Sequence, residues 1–269
     1  MTAKPHSKEN ISFYEQINRE SVYTVDQDYR KHVFYSMLLP FVERWDLKRK
    51  KCLEIGSSKG LFQDIVDDYT GVDIAESLSS YYHKPYRVVR DAHLPFPDQH
   101  FDAIFTYATH EHIPDIDKAL EEIVRVLKPG GVCLFAPAWH NRPWFAEGLA
   151  VRPYSELTLN QKIRKLFIPV RDFVPFRWST VFLRRLIRLI LYLMYYANKR
   201  PLRYTKLDAN YETFWQSDSD ACNSLDPFDV IIWFKARGCI CHGFENLLQA
   251  LFVRTHWLEV FKPQARCYR

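Results

Sequence analysis

Between residues 51 and 137, short apolar runs alternate with amphipathic stretches. Lys51-Cys52-Leu53-Glu54-Ile55 reads as a strand, and Leu61 to Val66 as the start of a helix. Thr70 to Ile74, Tyr86 to Arg90 and Phe101 to Thr106 read as further strands. Asp115 to Leu127 reads as a helix, because Ile116, Leu120, Ile123, Val124 and Leu127 share one face at helical spacing. Val132 to Ala136 is the next strand. Strands alternating with helices predict βαβ units around a parallel sheet.

The flanks follow other rhythms. Residues 11–48 read as helical, with an apolar face from Tyr14 to Phe41 that Pro40 interrupts. Residues 138–215 are rich in Arg, Pro and aromatics and show no βαβ unit. Asp226 to Arg237 reads as a helix opened by Asp226-Pro227 and closed by Gly238. Cys239 to Phe244 and Trp257 to Lys262 supply the last two strands. The expected organisation is a helical cap (1–48), a βαβ core (49–137), a lid insertion (138–215) and a C-terminal part that completes the sheet (216–269).

The strongest chemical signal is Leu53-Glu54-Ile55-Gly56-Ser57-Ser58-Lys59-Gly60, which runs from strand to expected helix. Glycines at such a turn let the backbone approach a ligand where a Cβ would clash. The helix start offers free N–H groups. Asp73 ends the next strand, 19 residues after Glu54, where a carboxylate can accept both ribose hydroxyls. Together they predict a nucleoside-containing ligand at the carboxyl edge of the sheet. The spacing is not the G-x-G-x-x-G of dinucleotide enzymes, because Ser58 takes the middle glycine's place. Asp91-Ala92 follows the third strand, and Leu127-Lys128-Pro129-Gly130-Gly131 closes a helix, its glycines making a tight turn before the fifth.

As a set these residues resemble the class I S-adenosylmethionine (SAM)-dependent methyltransferases, especially the type-11 small-molecule group. The resemblance covers roughly residues 50–137 and the last two strands. It implies a doubly wound, Rossmann-like α/β sheet of seven strands, the last antiparallel, with SAM as cofactor. It places Glu54, Gly56 and Gly60 beside the methionine part of SAM, Asp73 at the ribose, and Asp91 and Ala92 at the adenine. Thr106 to Glu111 would line the methyl-donor channel. Ser58 departs from the family's usual glycine, and its hydroxyl could itself bind the cofactor.

Methyl transfer requires donor and acceptor held close and collinear, and a general base only where the acceptor must lose a proton. His110, Glu111 and His112 are the candidates for that base. The place after strand four reads Thr106-Tyr107-Ala108-Thr109, without the proline pair of enzymes that methylate base amines, so no nucleic-acid partner is expected. The net charge of +5 is too mild to argue otherwise. Cysteines 52, 133, 222, 239, 241 and 267 form no CxxC pair, and no metal is expected. With 47% hydrophobic and 26% charged residues the chain suits a packed core.

The insertion should choose the acceptor. Val181 to Tyr196 reads as an apolar helix with Arg184 and Arg188 on one stripe and Arg185 beside it, followed by Lys199, Arg200 and Arg203. Such a helix suits peripheral membrane contact through 181–203, or a buried lid or dimer face. Glu212, Trp215, Asp218, Asp220, Asp226 and Asp229 would suit a hydroxyl-rich sugar, or a solvated loop and a helix cap. The N-terminus lacks an apolar leader, and the run from Leu189 to Ala197 is too short to span a bilayer, so a cytoplasmic, membrane-peripheral setting is expected. The sequence thus predicts methylation of a small, sugar- or lipid-linked acceptor, at oxygen. A non-catalytic SAM-binding module and a nicotinamide-dependent reductase are the alternatives.

Overall fold

A computed structural model describes residues 8–20, 28–90, 92–194 and 201–264. Its strands are β1 (Lys51–Ile55), β2 (Asp68–Asp73), β3 (Tyr86–Val88), β4 (Phe101–Tyr107), β5 (Leu127–Ala136), β6 (Thr205–Lys206), β7 (Asn223–Ser224), β8 (Ile240–Cys241) and β9 (Leu258–Phe261). Seven form one sheet in the order β3-β2-β1-β4-β5-β9-β8, and β6 and β7 make a small ribbon. β1 to β5 run parallel, whereas β9 is antiparallel to both its neighbours. This is the seven-stranded, Rossmann-like α/β sheet with an antiparallel last strand.

Side-chain alternation along the central strands feeds two cores. Leu53 and Ile104 point to the face covered by α3 (Ile116–Val126) and α7 (Pro227–Ala236). Their neighbours Cys52 and Phe105 point to the face covered by α2 (Tyr35–Arg44). Burial on both faces explains why these strands read as continuous apolar runs. Asp115 caps α3 by accepting from the Lys118 N–H at 3.2 Å, and Asp226 caps α7 by accepting from the Phe228 N–H at 2.9 Å. Cys239 and Cys241 both pack into the α7-side core as free thiols, and Cys267 lies outside the described residues.

Several elements differ from expectation. Residues 61–66 form consecutive turns instead of a helix, with the Gln63 N–H donating to the Gly60 carbonyl and the Ile65 N–H to the Phe62 carbonyl. β2 begins at Asp68, so the chain must already be extended two residues after Val66. The Lys128–Gly131 segment is the start of β5, not a turn. Gly130 takes φ +82° there, and pairing with β4 slips in register between Phe101 and Ala103. Residues 11–48 hold α1 (Lys8–Glu20) and α2, with a 3-10 turn at Tyr29–Lys31 before α2; residues 21–27 lie outside the described residues. The 138–215 segment forms α4 (Leu159–Leu166), α5 (Ile168–Asp172) and α6 (Val174–Met194), and α8 (Leu247–Leu251) packs on α6.

Candidate active site

Strand order reverses between β1 and β4, which opens a crevice at their carboxyl ends. A cavity of about 500 Å³ lies there, sized for a small molecule. Glu54, Gly56 and Ser58 line it after β1, Asp73 after β2, and Ala92 after β3. Tyr107, Ala108 and Thr109 line it after β4. Asp91 lies outside the described residues.

The loops after β1 and β4 are pressed together. Gly56 has φ +72°, and a Cβ on it would lie 2.0 Å from Thr109 Oγ1. Only glycine satisfies both the left-handed backbone and the close approach. Ser58 also takes a positive φ of +45°, which accounts for the glycine expected at that position. Gly60 does not reach the cavity. It shapes the turn, with φ +69° and its N–H donating to the Ser57 carbonyl at 2.9 Å.

Asp73 holds the loop directly. Its Oδ2 accepts the Ser58 N–H at 2.9 Å and its Oδ1 accepts the Ile74 N–H at 2.7 Å. Burial raises its carboxyl pKa even against those donors. The Ala75 N–H is directed at the same carboxyl, which leaves one of its four lone-pair sites for a ligand hydroxyl. Glu54 Oε2 accepts the Tyr69 hydroxyl at 2.5 Å, and burial pushes its pKa up to about 8.

The segment after β4 sorts the sequence candidates. Thr106 lies beneath the wall, with its hydroxyl 3.1 Å from His110 Nδ1. His110 is buried against Phe135, with ring centroids 4.8 Å apart, and burial pushes its pKa down to about 3. Glu111 is fully buried and accepts the Ala138 N–H at 3.0 Å, and burial lifts its pKa to about 6. Neither His110 nor Glu111 lines the cavity, whereas His112 does. His110–His112 form one turn of 3-10 helix, which sends successive side chains about 120° apart, so only one faces the crevice.

His112 stands among carboxylates absent from the sequence expectation for a base. Its Nδ1 is 3.2 Å from Asp220 Oδ2, and its Nε2 is 3.9 Å from Asp218 Oδ1. Burial would lower its pKa, but Asp220, Glu111 and Asp218 together raise it. The Tyr14 hydroxyl donates to Asp220 at 2.6 Å, which ties α1 to the same cluster. Tyr14 and Asp220 come from opposite ends of the chain, and no local spacing links them to His112. Glu111, His112 and Asp218 offer donor atoms within 4.8 Å of one another, a spacing that could hold a metal ion, although none is expected from the sequence.

A second cavity of about 710 Å³ shares Tyr107 and Ala108 with the first. Val33, Met37, Trp139, Trp178 and Val181 give it apolar walls, and Arg177, His140 and Arg254 add cationic or polar groups. None of the acids expected to face a sugar lines this second cavity, and Asp218 and Asp220 stand instead beside His112. Asp226 is buried and accepts from Arg185 at 3.0 Å and from Arg184 at 2.5 Å, and Asp229 pairs with Arg188. Burial works against the ionised Asp226, but Arg185, His140 and Arg184 together outweigh it and hold the carboxyl below the usual range. Trp215 packs against Gly148 with Arg152 over its ring.

Residues 53–135 match the family model described as a methyltransferase domain. The chain is 29% identical over 97 residues to tocopherol O-methyltransferase from Arabidopsis thaliana, covering 36% of this chain and 28% of that protein. It is 29% identical over 130 residues to fatty-acid O-methyltransferase from Mycolicibacterium smegmatis, covering 42% and 47%. The chain thus spans less than half the length of these curated relatives. Among solved structures, the YcgJ protein of Bacillus subtilis is similar with a TM-score of 0.36 and 23% identity, over 43% of this chain and 56% of that one.

Proposed function

We propose, from the match of residues 53–135 to the methyltransferase-domain family model, that this chain is a class I SAM-dependent methyltransferase that transfers the methyl group of SAM to a small lipid-like acceptor, at oxygen. The observation that carries the reading is the pair of cavities meeting at Tyr107 and Ala108. One has the glycine turn and the strand-end carboxylate that a nucleoside needs; the other has the apolar walls that an acceptor needs.

SAM would supply a methyl group on a sulfonium, activated for in-line displacement. Asp73 would accept a ribose hydroxyl, while the Gly56–Ser58 backbone lies against the methionine part. Burial pushes the Glu54 carboxyl up to about 8, which disfavours its charged form in the unliganded site. Ala92 would face the adenine. Tyr107 and Ala108 would frame the opening through which acceptor and methyl group meet, and holding them in line contributes several kcal/mol. His112, positioned by Asp220, is the group placed to accept a proton from a hydroxyl acceptor. His110 and Glu111 brace that turn from behind, as does Thr106.

The names of the relatives support an apolar acceptor over a free sugar: tocopherol and a fatty acid are what two of them methylate. The pairing of Asp226 and Asp229 with arginines removes two carboxylates from any sugar site. The cap, core, lid and C-terminal division of the sequence (1–48, 49–137, 138–215, 216–269) remains our working assignment of roles.

Calorimetric titration with S-adenosylhomocysteine, with NAD in parallel, tests the cofactor. Micromolar binding of the former and none of NAD supports the proposal. NAD binding alone would point to the reductase reading and end this one. Given cofactor binding, transfer from labelled SAM to fatty acids and phenolic lipids separates an enzyme from a binding module. His112→Ala should then lower kcat by about 100-fold or more.

A further inference from the structure

α6 is built the wrong way round for a surface helix. Three of its four arginines are tied to acids beneath the helix: Arg185, 1% exposed, and the less buried Arg184 and Arg188 pair with Asp226 and Asp229. Its other face is apolar and open. Phe176, Leu183, Ile187, Ile190 and Met194 follow helical spacing and are each at least 50% exposed. A helix apolar on its solvent side is expected to have a partner.

The neighbours extend this face. Leu159, Ile163 and Leu166 form an exposed stripe on α4, and Phe167, Val170 and Phe173 continue it along α5. Leu248 and Phe252, on α8 and just beyond it, are both 63% exposed. α4 packs on α5, α5 on α6, and α6 on α8, where the Phe182 and Phe252 rings stack with centroids 5.4 Å apart. Residues 159–194 hold eight Lys and Arg against one acid, Asp172. With three arginines paired to Asp226 and Asp229 and Arg164 paired to Glu147, Lys162, Lys165, Arg171 and Arg177 remain on these helices. Arg254 lies 3.6 Å over the Trp178 ring, a cationic and aromatic pair suited to a lipid headgroup layer. No helix among the described residues is long and apolar enough to cross a membrane.

We propose that α4, α5, α6 and α8 form a docking surface for an anionic lipid bilayer, with the apolar stripes seated among the acyl chains and the lysines and arginines against the headgroups. The charge excess selects this occupant over a second copy of the chain, which would oppose one basic face to another. Val174, Trp178 and Val181 of α6 also line the cavity assigned to the acceptor, so an acceptor could pass from bilayer to cavity along one helix. This last step rests on the proposed function; the docking surface does not.

Sedimentation of the full chain with vesicles of phosphatidylcholine, with and without phosphatidylglycerol, tests it. Binding is expected with phosphatidylglycerol, weakened by salt. The triple variant Phe176→Ser, Leu183→Ser, Ile187→Ser should bind at least about tenfold less. The pair Lys162→Glu, Arg171→Glu should lose the preference for anionic lipid. Both should bind S-adenosylhomocysteine as the unmodified chain does, which separates loss of docking from loss of fold or of the cofactor site. The inference falls if the protein stays in the supernatant with anionic vesicles at low salt, or if the triple variant binds undiminished. It also falls if light scattering shows a dimer that the triple variant dissolves, because a second copy would then cover the face.

Discussion

The sheet and the helices outside it obey opposite arrangements of charge. In the sheet, apolar side chains fill both faces and polar groups collect at the strand ends, where Asp73, Thr109 and His112 surround a cavity. In α6, Arg184, Arg185 and Arg188 pair with buried acids, and most apolar residues, Leu183, Ile187, Ile190 and Met194 among them, lie outside while Leu189 is buried. A sheet buried on both sides follows the hydrophobic effect alone. α6 is seated by ion pairs and leaves its apolar face for something else. Apolar periodicity therefore shows which residues share a face, but not whether that face meets the core.

The sharpest way to break this comparison is to remove the charge beneath α6. Asp226→Ala leaves Arg185 buried without its main partner and should cost about 3–5 kcal/mol in urea denaturation. Replacing Arg185 and Asp226 together by Met and Leu should cost far less. Equal losses would mean that the ion pairs do not seat the helix. At the sheet edge, Asp73→Ala should weaken S-adenosylhomocysteine binding about 10–100-fold in calorimetry, since hydrogen bonds to a charged group contribute about 1.5–3 kcal/mol. An unchanged affinity would remove Asp73 from the site.

A third difference is in pH response. Burial raises the folded pKa of Glu54 from 4.5 to about 8, so between those values the folded chain holds a proton that the unfolded chain has lost. Its contribution makes stability fall as pH rises through that window, by at most about 1.4 kcal/mol per pH unit. Glu54→Gln should flatten that slope in denaturation series across the window, and an identical slope in both proteins would contradict the burial effect. The smallest effect belongs to the outer helices. Thr158 caps α4 in a capping box with Gln161, so Thr158→Ala should cost about 1 kcal/mol locally. Hydrogen exchange should quicken over 159–166 while cofactor affinity stays unchanged.

The chain's own pattern determined the parallel core, α3, α7 with its Asp226 cap, and the glycine turn facing Asp73. These depend on neighbours in sequence: strand alternation, helical spacing, and a backbone that must turn where a Cβ does not fit. Placing His112 but not His110 or Glu111 in the cavity depended on the hand of a single 3-10 turn. Bringing Tyr14 and Asp220 to His112, and turning the arginines of α6 toward Asp226 and Asp229, depended on contacts between segments far apart in the chain. A periodic pattern carries the period of a helix but not the direction of its core, because that direction is set by which other element arrives to pack against it.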